Sequence, residues 1–449
     1  MKSALSALAR RTEEPPISWL MHVALAHPKL ISLAAGFTDN PSLPVREVRE
    51  LAREIFSSDK TGRPALQYGT TLGDPKLREA TAQHLRRLDG AAAGNKTYST
   101  NRVIITSGSQ QLLYMTTEAL CDTGDIVLVE DPTYFVYLGI AQSHGLRARG
   151  VRLAADGLDL AHLERVLESL KRSGELRRVK LLYLVSYFQN PTGITTSFAK
   201  KIGALKLLKK YERAAGHPIY LVEDAAYREL CFSTEMNGRD ALPRVQADRQ
   251  VGPTNGRMPG GDEKSALAAR GFEDRVIYTG TYSKPFATGV RVGFGVLPEP
   301  VFTAVERIKG NHDFGTANLL QQILARAIVS GRYDRHGAVL RKRYAHKARA
   351  MRAALEKHFP PEVKWDLPGG GLYFWARLPS GMKSGVKSKV FRAALANDVL
   401  YVPGILCYAD DPTRRKPDNE MRISFGSASE ENIREGIKRL GKVLRKMIV

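Results

Sequence analysis

Residues 276–297 read VIYTGTYSKPFATGVRVGFGVL: two β-rich apolar runs, Val276–Gly280 and Val292–Leu297, around a loop of small and polar residues. About ten residues join the runs, too few for the helical crossover that parallel neighbours require, so this pair is expected to be antiparallel. Upstream the repeating unit changes. Val103–Thr106, Ile126–Glu130, Leu181–Ser186 and Ile219–Val222 are short apolar runs, each closed by a polar turn and usually followed by a helix-length stretch of 3.6-residue periodicity. That alternation predicts an α/β fold, a mainly parallel sheet with helices on both faces.

From Phe302 onward the pattern turns to long amphipathic helices, clearest at Asn318–Val329 and Val339–Lys357, with a β-type segment at Gly371–Leu378. Residues 51–301 are therefore expected to form the large domain and 302–449 a smaller α+β domain, joined by an N-terminal arm within residues 1–50. Ser233–Gly271, rich in Gly, Pro, Asn and charge, reads as a surface insertion.

A chain of 449 residues with 43% hydrophobic content has ample material for such cores. Cys121, Cys231 and Cys407 are an odd number, far apart and without C-x-x-C spacing, which argues against a disulfide framework and against a zinc site. A reducing cytoplasm fits best. The first sixteen residues, MKSALSALARRTEEPP, hold too weak an apolar stretch for a signal peptide, and no run of about 18 apolar residues suggests a membrane span. The net charge of +22 raises nucleic acid as a partner, yet the basic residues are spread along the chain beside no recognition motif, so a solvated basic surface is expected.

In an open α/β sheet, ligands bind at the carboxyl ends of the strands. Every unusual polar cluster here falls at such an end: Ser107-Gly-Ser-Gln110, Asp131-Pro-Thr-Tyr134, Gln189-Asn-Pro-Thr-Gly193, Glu223-Asp-Ala-Ala-Tyr227 and Thr281-Tyr-Ser-Lys284. These clusters, in this order, resemble the class I/II aminotransferases of fold type I, and within them the branch containing kynurenine and 2-aminoadipate aminotransferases. The resemblance runs from Ile31-Ser-Leu-Ala-Ala-Gly36 to Met421-Arg-Ile-Ser-Phe425. It implies pyridoxal 5'-phosphate (PLP) as cofactor. It also implies transfer of an amino group from an amino acid to a 2-oxo acid such as 2-oxoglutarate, through a Schiff base on Lys284 and the pyridoxamine form of the cofactor.

A Ser-Lys pair in a small-residue loop is ordinarily a surface feature. Lys284 differs in following a buried strand, with Arg291 seven residues on; desolvation and a cationic neighbour both lower an amine pKa, as a nucleophilic lysine requires. Asp224 alone reads equally well as a helix N-cap; the resemblance makes it the partner of the cofactor's pyridine nitrogen. The resemblance also assigns Asn190 and Tyr227 to the phenolic oxygen and Tyr134 to the ring face. Gly108-Ser109-Gln110 opens a helix-period segment whose free N–H groups suit a phosphate. Thr281, Ser283 and Arg291 would complete that cup, threonine standing where relatives commonly have serine. Tyr68 would reach the phosphate of a neighbouring subunit, implying a homodimer with composite sites.

Arg422 lies inside the apolar alternation Met421–Phe425, where an unpaired guanidinium is expensive, and its fork matches the α-carboxylate common to all these substrates. By resemblance Asn190 and the backbone at Gly36 complete that pocket. Where 2-aminoadipate-type relatives carry an arginine on the arm helix, counting back from Gly36 gives Trp19. The expected donor is thus uncharged, aromatic or large and apolar. Two other outcomes share these residues. Other fold type I chemistry, β-elimination or decarboxylation, differs by small geometric changes. A ligand-sensing regulator would need a DNA-binding domain, and 30 residues before Ile31 are too few for one.

Overall fold

The computed structural model describes residues 4–232 and 263–448. Its larger sheet has eight strands: β1 (Val103–Thr106), β2 (Ile126–Asp131), β3 (Arg147–Ala154), β4 (Gly157–Leu158), β5 (Val179–Val185), β6 (Tyr220–Asp224), β7 (Val276–Thr281) and β8 (Gly293–Val296). Their spatial order is β1-β8-β7-β6-β5-β2-β3-β4. Strands β7, β6, β5, β2 and β3 are parallel. Strands β1, β6 and β7 are buried at every position, which is why they read as continuous apolar runs rather than alternating ones.

Strand β8 runs against both of its neighbours, β7 and β1, as the short connection demands. This reversal has a chemical consequence. The beginning of β8 lies at the rim where the parallel strands end, so Arg291, two residues ahead of β8, joins the clusters that follow β1, β2, β5, β6 and β7.

A second sheet is antiparallel, in the order β9 (Lys364–Trp365), β10 (Tyr373–Arg377), β12 (Glu420–Ser424), β11 (Val402–Pro403). The long helices Arg332–His358 and Glu430–Ile448 pack against each other in this part of the chain. The arm joins it too: Ile31-Ser32 pairs in parallel with Val399-Leu400. Beyond that bridge Asp39 is buried and ion-paired with Lys347 and with Arg343, the latter at 3.3 Å. Lys347 also donates to the carbonyl of Gly426 at 2.8 Å, so the arm is fastened to the C-terminal helices by a buried charge pair whose donors are satisfied.

Two sequence expectations need correction. Strand β3 is missing from the expected strands because its Arg147, Arg149 and Arg152 hide the β pattern; they belong to a strand near the sheet edge, where Arg149 meets the buried Asp411 at 3.3 Å. The insertion expected at Ser233–Gly271 ends too late. Residues 233–262 lie outside the described residues, but Ser265, Ala266, Leu267 and Ala269 are buried. Ser265 donates from N (2.7 Å) and Oγ (2.5 Å) to the buried Asp89, and Lys201 donates to the carbonyl of Lys264 at 3.0 Å. Among the described residues no helix is long and apolar enough to cross a membrane.

Candidate active site

A cavity of ≈ 200 Å³ opens at the carboxyl rim of the larger sheet, between it and the second sheet. Lys284, on the loop after β7, lines it and donates from Nζ to the carbonyl of Gly36 at 2.8 Å. Burial, reinforced by the guanidinium groups of Arg291 and Arg422, brings its amine down to about 8, against the opposing pull of Asp224.

Asp224 ends β6 and is almost fully buried. Its carboxyl accepts from the Tyr183 hydroxyl at 2.8 Å and from the Ala226 N–H at 3.1 Å. Tyr183 is stacked in turn on Tyr137, ring centroids 3.9 Å apart and 14° from parallel. Burial pushes the Asp224 carboxyl up to about 6, and these two donors only partly offset it. A buried acid in this state is stabilised by any cation that arrives beside it.

Arg422, 1% exposed, stands on β12 of the second sheet and reaches across to the rim of the larger one. It donates to Asn190 Oδ1 at 2.7 Å and to the carbonyl of Ala34 at 2.6 Å. Its Nε is buried and has no hydrogen-bond partner among the described residues, and its planar guanidinium, which lines the cavity, suits a carboxylate. Asn190 uses its amide to donate to the Tyr227 hydroxyl at 3.5 Å. Tyr134 lines the same cavity, and burial holds its phenol protonated.

At the opposite end the helix Ser109–Leu120 points its first turn into the cavity. Gly108 precedes it at φ 82°, a conformation that favours glycine, and a Cβ there would stand 3.0 Å from Arg291 Nη2. Arg291 donates to Ser283 Oγ at 3.4 Å, and the Ser283 N–H donates to Thr281 Oγ1 at 3.0 Å. Free N–H groups of a first helical turn, hydroxyls and a guanidinium converge here, which suits a phosphate. The cavity thus offers an anion cup, a buried acid for a cationic ring nitrogen, and between them an amine with a lowered pKa. These residues fit PLP.

Gly36, Gly108, Ser109, Gln110, Tyr134, Asn190, Asp224, Tyr227, Thr281, Ser283, Lys284, Arg291 and Arg422 all line this one cavity. Two predicted residues do not. Trp19 is turned away, its ring 5.9 Å from that of Phe391, and Ile17 takes the wall position expected of it. Tyr68 is 83% exposed, in edge-to-face contact with the equally outlying Phe314, and does not reach the cavity of its own chain. Sequence reasoning missed the apolar walls Ile17, Phe37, Phe135 and Val136, and also Tyr373, whose ring lies under Arg422 at 4.3 Å.

Comparison with known proteins agrees with this geometry. The sequence profile of the family "Aminotransferase class I and II" matches residues 28–440. Aromatic-amino-acid aminotransferase 1 of Thermococcus litoralis is 33% identical over 93% of this chain and 88% of its own. The 2-aminoadipate transaminase of Thermus thermophilus is 31% identical over 94% and 91%. The crystal structure of Pyrococcus horikoshii kynurenine aminotransferase superposes with a TM-score of 0.84 at 31% identity, covering 99% of this chain and 98% of that one. With a matching family profile over most of its length and a cavity built for the cofactor, the chain belongs to the class I and II aminotransferases and is a PLP-dependent transaminase of fold type I.

Proposed function

We propose that this transaminase takes its amino group from an amino acid with an uncharged, aromatic or large apolar side chain and passes it to a 2-oxo acid, 2-oxoglutarate being the acceptor to test first. When bound, PLP supplies the carbonyl that condenses with amines and the conjugated ring that accepts electron density from the substrate Cα. The residues supply the rest. Lys284 holds the cofactor and then carries the proton to and from Cα; Asp224 holds the proton of the ring nitrogen; Asn190 and Tyr227 donate to the phenolic oxygen. Tyr134 covers the ring face, while Gly108, Ser109, Gln110, Thr281, Ser283 and Arg291 hold the phosphate. Arg422, supported by Asn190 and the backbone around Gly36, orients the α-carboxylate.

One observation carries the choice of donor. Among the described residues the charged groups on the cavity wall are Asp224, Lys284, Arg291 and Arg422, and each already has a task. What remains for a substrate side chain is Ile17, Phe37, Phe135 and Val136. A distal carboxylate buried there would have no partner, at a cost of several kcal/mol; the same cost falls on the γ-carboxylate of 2-oxoglutarate, so a 2-oxo acid with an uncharged side chain, such as pyruvate, is the acceptor to compare with it. Phenylalanine, leucine and kynurenine are expected to discharge the visible band of the PLP-loaded protein with kcat/KM at least about tenfold above that of 2-aminoadipate. A preference for 2-aminoadipate would refute the assignment, and release of pyruvate and ammonia from a β-substituted alanine such as serine O-sulfate, without formation of the aminated cofactor, would refute transamination.

We further infer a homodimer with composite sites, working in a reducing compartment such as the cytoplasm, since no disulfide joins Cys121, Cys231 and Cys407. Its support is the state of the phosphate end: Gln110 and Arg291 are exposed in the single chain, while Tyr68 and Phe314 stand out from the surface against each other. Sedimentation equilibrium is expected to give twice the chain mass of 49.6 kDa. A monomer that binds PLP tightly would exclude the composite site.

A further inference from the structure

Tyr373 opens β10 and is buried, yet it lines the cavity. Its ring lies 4.3 Å from the guanidinium centre of Arg422. Its hydroxyl is 3.0 Å from that of Tyr227, the two rings meeting edge to face. A side chain of the second sheet thereby touches both the carboxylate anchor and a cofactor contact of the large domain.

The direction of the hydrogen bonds follows from their donors. Arg422 only donates, so Asn190 must present Oδ1 to it, which turns the Asn190 amide nitrogen toward the Tyr227 hydroxyl. Tyr227 oxygen thus accepts at one lone pair. If Tyr373 donates to the other, the single proton of Tyr227 is left for a third group, on the cavity side. Close fit holds Tyr373 in place: a Cβ at Gly36 would stand 2.5 Å from its hydroxyl oxygen, and Gly36 is the residue whose carbonyl receives Lys284.

We propose that Tyr373 is a positioning residue of the reaction: its hydroxyl commits the Tyr227 proton to the cofactor's phenolic oxygen, and its ring supports the guanidinium that binds the substrate carboxylate. This rests on the site reading given above. The hydroxyl and the ring do separate jobs, so they are separable by substitution.

The test is a spectrophotometric pH titration of the visible band in PLP-loaded wild-type, Tyr373→Phe, Tyr227→Phe and doubly substituted proteins. A proton shared between the lysine nitrogen and the phenolic oxygen is held more tightly once that oxygen loses strength in its donor. Tyr373→Phe is therefore expected to raise the midpoint by a few tenths of a unit to about one unit. Tyr227→Phe raises it further, and the double variant titrates like Tyr227→Phe alone, because Tyr373 acts through Tyr227. Tyr373→Phe keeps the ring and leaves the amino-acid KM close to wild type, whereas Tyr373→Leu raises it about tenfold. An unshifted midpoint in Tyr373→Phe, or the same shift with and without Tyr227, overturns this inference alone. Absence of a visible band in the unsubstituted protein overturns the site reading, and this inference with it.

Discussion

Lys284→Ala is expected to lower transamination by about 10⁴-fold, the upper end of what a positioned proton-transferring group contributes, and to remove the visible absorption of bound cofactor. The substitution deletes the one amine that opens on the cavity beside Asp224 and Arg422. At pH 7 an amine brought down to about 8 is neutral in ~10% of molecules, against ~0.04% for an ordinary lysine. Only the neutral form attacks a carbonyl. Capture of added PLP by the cofactor-free protein is accordingly expected to quicken as the pH rises through about 8 and then to level off. Stopped-flow absorbance measures both features. Activity of the variant within tenfold of wild type, or a capture rate that stays flat across that range, would remove Lys284 from its role.

The second large effect is at Asp224. Replacing a preorganised charge in a dry site ordinarily costs about 10²–10³-fold in kcat, so Asp224→Asn is expected to lose that much with little change in KM. Its effect on the cofactor-free protein runs the other way. The carboxyl is raised from 3.8 to about 6 by burial, so the folded state favours the neutral acid. Below pH 3.8 both folded and unfolded chains are protonated and there is no difference between them. As the pH rises from 3.8 to 6 the unfolded chain ionises first and stability falls; above 6 the penalty is constant, of order 3 kcal/mol for a fully buried group. Asparagine escapes it. Urea unfolding of the cofactor-free proteins at pH 7 should find Asp224→Asn the more stable of the two. A variant that is both fully active and less stable would contradict the placement of Asp224 as a strained acid awaiting a cation.

Much of this site is legible in the sequence because buried parallel strands announce themselves as apolar runs and their ends carry the chemistry. Lys284 and Arg291 were readable together since a ten-residue loop forces β8 to turn back. Trp19 shows where such reading stops. Residues 17 and 19 lie about 200° apart around a helix, so an error of two in counting along the arm selects the opposite face. Tyr373 was hidden for a related reason. In the run Gly371–Leu378 the alternation separates Tyr373 and Trp375 from Leu372 and Phe374, but which face meets the larger sheet is decided by how the two sheets pack, not by the run itself. The stretch 263–271 was misread because charged neighbours masked Ser-Ala-Leu-Ala-Ala, whose burial depends on a distant aspartate at position 89.

Arg422 binds Ala34 across 388 positions of sequence and Asn190 across 232. During synthesis at about 5–20 residues per second, the segment from Thr281 to Arg291 leaves the ribosome roughly ten seconds before Arg422 does. A growing chain therefore exposes its own phosphate-cup residues and its reactive lysine before it has Arg422, the group that binds an α-carboxylate. Of the residues that read the substrate, the one for its α-carboxylate is made last, on a single strand near the C-terminus, after the walls that meet its side chain.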